Sequence, residues 1–545
     1  MNEEHREELI AQADSIYPSR VNITIYDLDA FLQGGTLAVG AYLHLEDNTG
    51  KVLIATIENI SASGTEAEDQ GAGRVYRLAG QPLGMLVNGR FERGNTAIAF
   101  PVQKVELASH GEIRKIFEES VSDGDGFCFA RLASDVDIRV PLDGNRFFNK
   151  HIAIVGSTGS GKSYTVTRIL QTACQTRAGR NNAHVVIFDI HSEYRAAFPD
   201  ANCLDISNLA LPYWLMNSTE LQEFFLDTEG NDHNQRNVFK EGVIMSKAKH
   251  FKGPEELRNK LTLDTPVFFE IEEVLNYAIE KNEEMVAGAR GEKAGPLNGK
   301  LSNFIDRMET KLGDRRLAFL LGERARRQSF DAVLRQLMGY GTERSNVTIL
   351  DVSGVPFEVL SITVSLVSRI LFEYGYFYKR IRSASGAEIH NDVPVLLVYE
   401  EAHKYVPNTG SVKYRAARES IERIAKEGRK YGVSLMLASQ RPSEISETIF
   451  SQCNNFVAMR LTNPTDQNFV KRLLPDSMGS VVDSLPALRT GECLLTGEAV
   501  LMPCIVKIQS TDCPPASNDI PYWSLWQEPW HELNIDAIRE QWMDR

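Results

Sequence analysis

Short apolar runs punctuated by turn residues fill the first part of the chain. VNITIYDL (21–28), TLAVGAYLHL (36–45), VLIATIENI (52–60), RVYRLAGQPLGMLV (74–87) and TAIAFPVQKVEL (96–107) are rich in Val, Ile and Leu. Gly34-Gly35, Asp47-Asn48-Thr49-Gly50 and Asn88-Gly89 lie between them. Regular short strands joined by Gly and Asn turns predict a small β-barrel. The Gly-, Ser- and acid-containing segment from Ser61 to Gly73 reads as a mobile loop.

From His151 the pattern changes. HIAIV (151–155), HVVIFDI (184–190), VTILDVS (347–353), VPVLLVY (393–399), VSLMLAS (433–439), NFVAMRL (455–461) and GECLLTG (491–497) are continuous apolar runs separated by helical patterns. Such runs predict an α/β core whose parallel sheet is covered on both faces. A charged stretch over 217–345 has helical periodicity and reads as an insertion. The Pro- and Trp-rich end, CPPASNDIPYWSLWQEPW, leads into a short amphipathic helix.

Composition narrows the class more than the chemistry. With 545 residues, several domains are expected. No stretch reaches the roughly 18 uninterrupted apolar residues of a membrane helix. The polar, acidic start resembles neither a secretory signal nor a transit peptide. Seven scattered cysteines without a CxxC spacing point to a reducing cytosol, not to a disulfide framework or zinc site. The net charge of −14 disfavours wrapping nucleic acid on the outer surface, so any DNA contact needs a local positive channel.

Gly156-Ser157-Thr158-Gly159-Ser160-Gly161-Lys162-Ser163 satisfies G-x-x-x-x-G-K-[ST], after an apolar strand and before a helix. The glycines let consecutive backbone N–H groups face phosphate oxygens, and the helix adds its positive end. Lys162 would reach the β- and γ-phosphates of ATP, and the Ser163 hydroxyl would ligate Mg²⁺. Tyr164 completes the candidate nucleotide-binding segment.

A phosphate-loop ATPase also needs carboxylates at the end of another strand. VPVLLVYEEAH supplies Glu400, placed by the metal through water, and Glu401, the candidate general base. A helix start would also favour two glutamates; the phosphate loop upstream tips the reading towards catalysis. Glu400 stands where Asp is usual. In LMLASQRPSEI, Gln440 could sense the γ-phosphate or simply mark a strand-end turn. Arg429, in IAKEGRKYGVS, is either a cation at a helix C-terminus or an arginine finger acting in trans. Asp189, His191 and Glu193 end the HVVIFDIHSEY run, near the metal shell or in a turn.

Together, HIAIVGSTGSGKSYT, FDIHSEY, LLVYEEAHKYVP and EGRKYGVSLMLASQRPSEI resemble the HerA family of the HerA/FtsK translocases, over most of the chain. The resemblance implies a RecA-like P-loop NTPase core (149–216 and 346–510) behind an N-terminal β-barrel (1–148). A helical insertion (217–345) and a C-terminal tail or brace (511–545) complete the organisation. It further implies ATP and Mg²⁺ as cofactors, a cytoplasmic homo-hexamer moving double-stranded DNA through its pore, and Arg429 acting on a neighbour's ATP. On the barrel it implies an effector, such as a NurA-like nuclease or a sirtuin-like NAD hydrolase, in repair or anti-phage defence. Pore candidates are Arg307, Lys311, Arg315, Arg316, Arg324, Arg326 and Arg327, with Lys379, Arg380 and Arg382. The same residues could equally be solvated helix faces pairing with Glu309 and Glu323. The tryptophans Trp523, Trp526, Trp530 and Trp542 suit either an interface or packing on the chain's own core.

Overall fold

Most of the apolar runs become strands in the structure, a computed structural model that describes residues 10–33, 36–63, 75–87, 90–93, 100–118, 121, 126–176, 179–226, 233–288, 291–341, 343–408, 415–474, 479–517 and 519–543. Two compact units result. One comprises Met1–Ala173, Ala438–Ser443 and Ser451–Asp512; the other comprises Cys174–Leu437, Glu444–Phe450 and Cys513–Arg545.

The first unit opens with β1 (Ala11–Tyr17), β2 (Arg20–Ile25), β3 (Tyr42–Asp47), β4 (Val52–Ser63), β5 (Val75–Val87), β6 (Arg90–Arg93) and β7 (Val102–Leu107). They form an antiparallel sheet in the order β1-β2-β5-β4-β3-β7, with β6 on β5. Alternate residues point inward: Val21, Ile23 and Ile25 of β2, Leu43 and Leu45 of β3, and Leu53 and Ala55 of β4. Ala13 of β1 and Val105 of β7, from the two ends of the sheet, join the same cluster, so the sheet curls around one core like a half-barrel. Register shifts between Ile54 and Ala55 and between Ile57 and Asn59 mark where β4 bends. The β3–β4 turn is the expected Asp47–Gly50 segment. Asp47 Oδ1 accepts from Thr49 N at 2.8 Å and Lys51 N at 3.0 Å, and Gly50 takes φ 77°. Ser61–Ser63 end β4 instead of opening a loop. Residues 64–73, Gly34-Gly35 and Asn88-Gly89 lie outside the described residues. The strand pattern missed β1 and β6, whose sequences carry little apolar alternation.

The principal later strands are β8 (Ala130–Leu132), β9 (Ile152–Val155), β10 (His184–Asp189), β11 (Asn202–Leu204), β12 (Val347–Asp351), β13 (Val395–Tyr399), β14 (Val433–Ser439), β15 (Asn455–Met459), β16 (Glu492–Gly497) and β17 (Cys504–Ile508). In the second unit, β11, β12, β10, β13 and β14 pair in that order, all parallel. Every residue of β13 is buried, as two covered faces demand. In the first unit, β9 pairs with β15 in parallel, but β16, β17 and β8 continue antiparallel. The expectation of a purely parallel sheet is therefore corrected to a mixed one. Residues 498–503 joining β16 to β17 are too few for a crossover, so that connection can only be a hairpin.

The 217–345 stretch is helical, including Ser218–Phe225, His233–His250, Ile271–Glu283 and Ser302–Gly313. It also carries a small hairpin, Met285–Gly288 with Gly291–Ala294, which helical periodicity did not announce. In the tail, Tyr522–Trp526 and Ile535–Met543 are helices. Trp523, Trp526, Trp530 and Trp542 are all exposed, Trp530 at 99%, so packing on this chain's own core is not their role. No helix among the described residues is long and apolar enough to cross a membrane. The seven cysteines, all among the described residues, form no disulfide with one another.

Candidate nucleotide site

In the first unit, β9 delivers the chain into the 156–163 loop, and helix α1 (Lys162–Cys174) leaves it. Gly159 (φ 70°) and Gly161 (φ 99°) occupy the left-handed region, where a side chain is strained. At Gly156 the constraint is space, because a Cβ would meet Ser160 Oγ at 2.5 Å and Met459 Cβ at 2.8 Å. Gly156 N donates to Ser439 O at 3.3 Å and Ser157 N to Arg460 O at 2.8 Å. These two N–H groups thus anchor the loop to neighbouring strand ends. Ser157 Oγ accepts from Thr462 N at 3.0 Å. From the other side, Gly491 N donates to Ser160 O at 3.0 Å and Thr490 Oγ1 to Gly159 O at 3.3 Å. Thr158 Oγ1 donates to Gln440 Oε1, which brings the predicted glutamine onto the loop. Ser160 and Lys162 are buried, Thr158 is exposed, and Ser163 and Tyr164 are half-buried on the first turn of α1.

In the second unit, β13 ends in Glu400 and Glu401, both buried. Glu400 N donates to Phe188 O at 3.3 Å. The Tyr194 hydroxyl donates to Glu400 Oε2 at 2.6 Å. Burial, and then the Glu400 charge, push the Tyr194 phenol well above its ordinary range, which keeps it a proton donor. Tyr194 is placed by Asp189, whose carboxylate accepts from Tyr194 N at 2.9 Å and His191 N at 3.2 Å. Of the two alternatives for the FDIHSEY run, Asp189 therefore takes the turn-forming one. Burial raises its carboxyl above the usual range, opposed by those N–H donors.

Glu401 is a non-glycine residue in the left-handed region, φ 50° and ψ 50°. A one-turn 3₁₀ helix, Ala402–Lys404, follows it, closed by Lys404 N donating to Glu401 O at 2.8 Å. Tyr405 pins this turn in an aromatic cluster with Phe188 and Tyr399, whose rings stack at 4.7 Å. His403 Nδ1 lies 3.3 Å from Glu401 Oε2.

Helix α2 (Phe357–Ala384) packs beside α3 (Arg415–Glu427) in the same unit. Arg429 sits just past the end of α3, in the 3₁₀ turn Gly428–Tyr431. A Cβ on Gly428 would meet Val433 O at 2.4 Å, and Gly432 takes φ 72°, so two glycines make this turn tight. Arg429 is exposed, and among the described residues it has no hydrogen bond or ion pair.

The basic residues of the insertion are largely committed. Arg326 bonds Glu270 Oε1 at 2.9 Å and also Glu272; Arg327 pairs with Glu323; Arg316 bonds Asp314 at 2.7 Å. Arg324 donates to Asn208 O at 2.8 Å, and Lys311 lies 4.6 Å from the Phe224 ring centre. Arg382 pairs with Asp392 at 3.0 Å, whereas Lys379 and Arg380 lie over Tyr431 and Tyr376.

The family description "Helicase HerA, central domain" matches residues 127–371. The DNA double-strand break repair helicase HerA of Sulfurisphaera tokodaii is 27% identical over 447 residues, 80% of this chain and 79% of that protein. A probable DNA double-strand break repair helicase HerA of Methanocaldococcus jannaschii is 24% identical over 517 residues, 89% of this chain and 94% of that protein. The chain is thus similar to HerA-type helicases over most of its length. Among solved structures, VirB4 of Thermoanaerobacter pseudethanolicus is similar over 74% of this chain, with 16% identity and a TM-score of 0.48, too loose a likeness to carry an argument.

The residues at this site that sequence reasoning overlooked are Tyr194, His403 and the Thr490-Gly491 pair. The first two stood inside quoted motifs, FDIHSEY and EEAH, without a role of their own. Thr490 and Gly491 precede β16, and no local pattern links them to a loop some 330 residues earlier.

Proposed function

We propose that this protein is an ATP-driven translocase of double-stranded DNA, working as a homo-hexamer. The observation carrying the reading is the phosphate loop held between fixed strand ends, with Gly159 and Gly161 in the one backbone region that turns N–H groups towards an anion. In this reading the backbone of 158–163 and the Lys162 ammonium bind the ATP phosphates, with Tyr164 beside them. The Ser163 hydroxyl and, through water, the Glu400 carboxylate are hard oxygen donors of the kind Mg²⁺ takes. Mg²⁺, when bound, neutralises charge building on the phosphates. Glu401 orients and deprotonates the attacking water. Gln440, already bonded to Thr158, reports the state of the γ-phosphate, and the exposed Arg429 reaches a neighbouring subunit's ATP.

The curled N-terminal sheet is assigned to an effector partner, a nuclease or NAD-consuming protein, in DNA processing or phage defence. Tyr17, Tyr26, Val39 and Phe100 of that region are exposed apolar side chains available to a partner.

A second reading is a scaffold ring that binds ATP and assembles its partner without moving DNA. The net charge of −14 and the paired arginines of the insertion favour keeping it. One assay separates the two. The translocase predicts ATP hydrolysis stimulated several-fold by linear double-stranded DNA; hydrolysis indifferent to DNA favours the scaffold.

A further inference from the structure

The left-handed backbone of Glu401 is costly. A residue with a Cβ is strained there, and the conformation persists only where surrounding contacts fix it. The aromatic cluster fixes the backbone of the turn, and the three side-chain torsions of Glu401 are set by the contacts of the side chain itself. The imidazole of His403 is placed to make such a contact. It emerges from the same 3₁₀ turn, its Nδ1 is 3.3 Å from Glu401 Oε2, and both side chains are largely buried, 17% and 3% exposed. A carboxylate oxygen only accepts, so the nitrogen facing it carries the proton. We infer that His403 is a positioning residue, whose Nδ1–H holds the Glu401 carboxylate in the rotamer that receives a proton from the attacking water. This rests on the reading of Glu401 as the general base.

The geometry requires a donor at the Nδ1 position and nothing more of the ring. Asparagine places an amide nitrogen at nearly the same point, leucine fills the space without a donor, and aspartate presents a repelling acceptor. A misaligned base costs turnover while leaving nucleotide binding intact. His403→Leu is therefore expected to lower kcat for ATP hydrolysis about 10–100-fold with KM for ATP within about two-fold. His403→Asn should restore most of kcat, and His403→Asp should fall at least as far as His403→Leu. Thermal melting and binding of a fluorescent ATP analogue check that each variant is folded. Should His403→Leu not fold, the near-isosteric Asn and Asp variants carry the test alone.

Wild-type kcat in His403→Leu or His403→Asp overturns the inference. So does an equal loss in the Asn and Asp variants, which would mark a packing role, or a raised KM with unchanged kcat. Glu401→Gln separates this failure from that of the underlying reading. If Glu401→Gln is inactive while the His403 variants are normal, only the positioning role falls; if Glu401→Gln turns over normally, the base assignment falls with it.

Discussion

Lys162 and Gly161 show how much of the site rests on single residues. Lys162 is buried at the start of α1, and Gly161 precedes it at φ 99°, a conformation that Ala adopts only with strain. Lys162→Ala should lose ATP affinity more than about ten-fold in equilibrium binding, because it removes a fixed charge from a preorganised anion site. Gly161→Ala should weaken binding too, by distorting the loop. Unchanged affinity in Lys162→Ala would place the phosphates elsewhere. At this scale the sequence was legible where chemistry is local. The loop glycines, Glu400, Glu401 and Gln440 stand in contiguous motifs, and Gln440 meets Thr158 in the structure. Tyr194 and His403 were opaque because their roles depend on which side-chain atom faces which: a hydroxyl at 2.6 Å from Glu400 and an imidazole at 3.3 Å from Glu401.

Elements of the second unit are joined by buried polar contacts that no periodicity reveals. Glu223, on helix Ser218–Phe225, accepts from Ala416 N at 2.9 Å and so caps the start of α3. Burial pushes its carboxyl up to about 7, against the Ala416 donor. A folded-state value above the unfolded one means the protonated form favours folding. That contribution is complete below the unfolded value of 4.5 and is lost as pH rises through about 7. Glu223→Gln keeps the acceptor and removes the titration. Its thermal midpoint should match wild type near pH 5 and exceed it near pH 8, by the equivalent of about 1 kcal/mol. A wild type that gains stability over Glu223→Gln as pH rises would contradict this. Strands were read better than their directions. β9, β10, β12, β13, β14, β15 and β16 were all visible as apolar runs, but a buried strand looks alike whichever way it runs. The antiparallel β16–β17 hairpin followed only from a six-residue connection that apolar content does not weigh.

At the scale of the whole molecule, net charge and surface chemistry point outward to partners. The exposed Arg429 has no hydrogen bond or ion pair among the described residues of its own chain, and the tail presents four exposed tryptophans. A side chain that acts in trans requires neighbours, and a closed ring is the symmetric answer. Native mass spectrometry with Mg-ATP should find six copies, and Arg429→Ala should abolish hydrolysis while leaving that assembly intact. A monomer that hydrolyses ATP at the full rate would remove the trans role. Short strands and turn signals predict a small N-terminal barrel, with which the curled antiparallel sheet is consistent, and helical periodicity predicts the helices of 217–345; the exposure of the tryptophans was undetermined, since an interface and a core call for the same residues.

The proposed hydrolysis depends on Glu401 acting on ATP bound at the phosphate loop. The most direct measurement is the nucleotide recovered from Glu401→Gln protein after incubation with Mg-ATP and rapid removal of free ligand. Bound, unhydrolysed ATP with turnover reduced at least about 100-fold is the predicted result. ADP and phosphate released at the wild-type rate would contradict it.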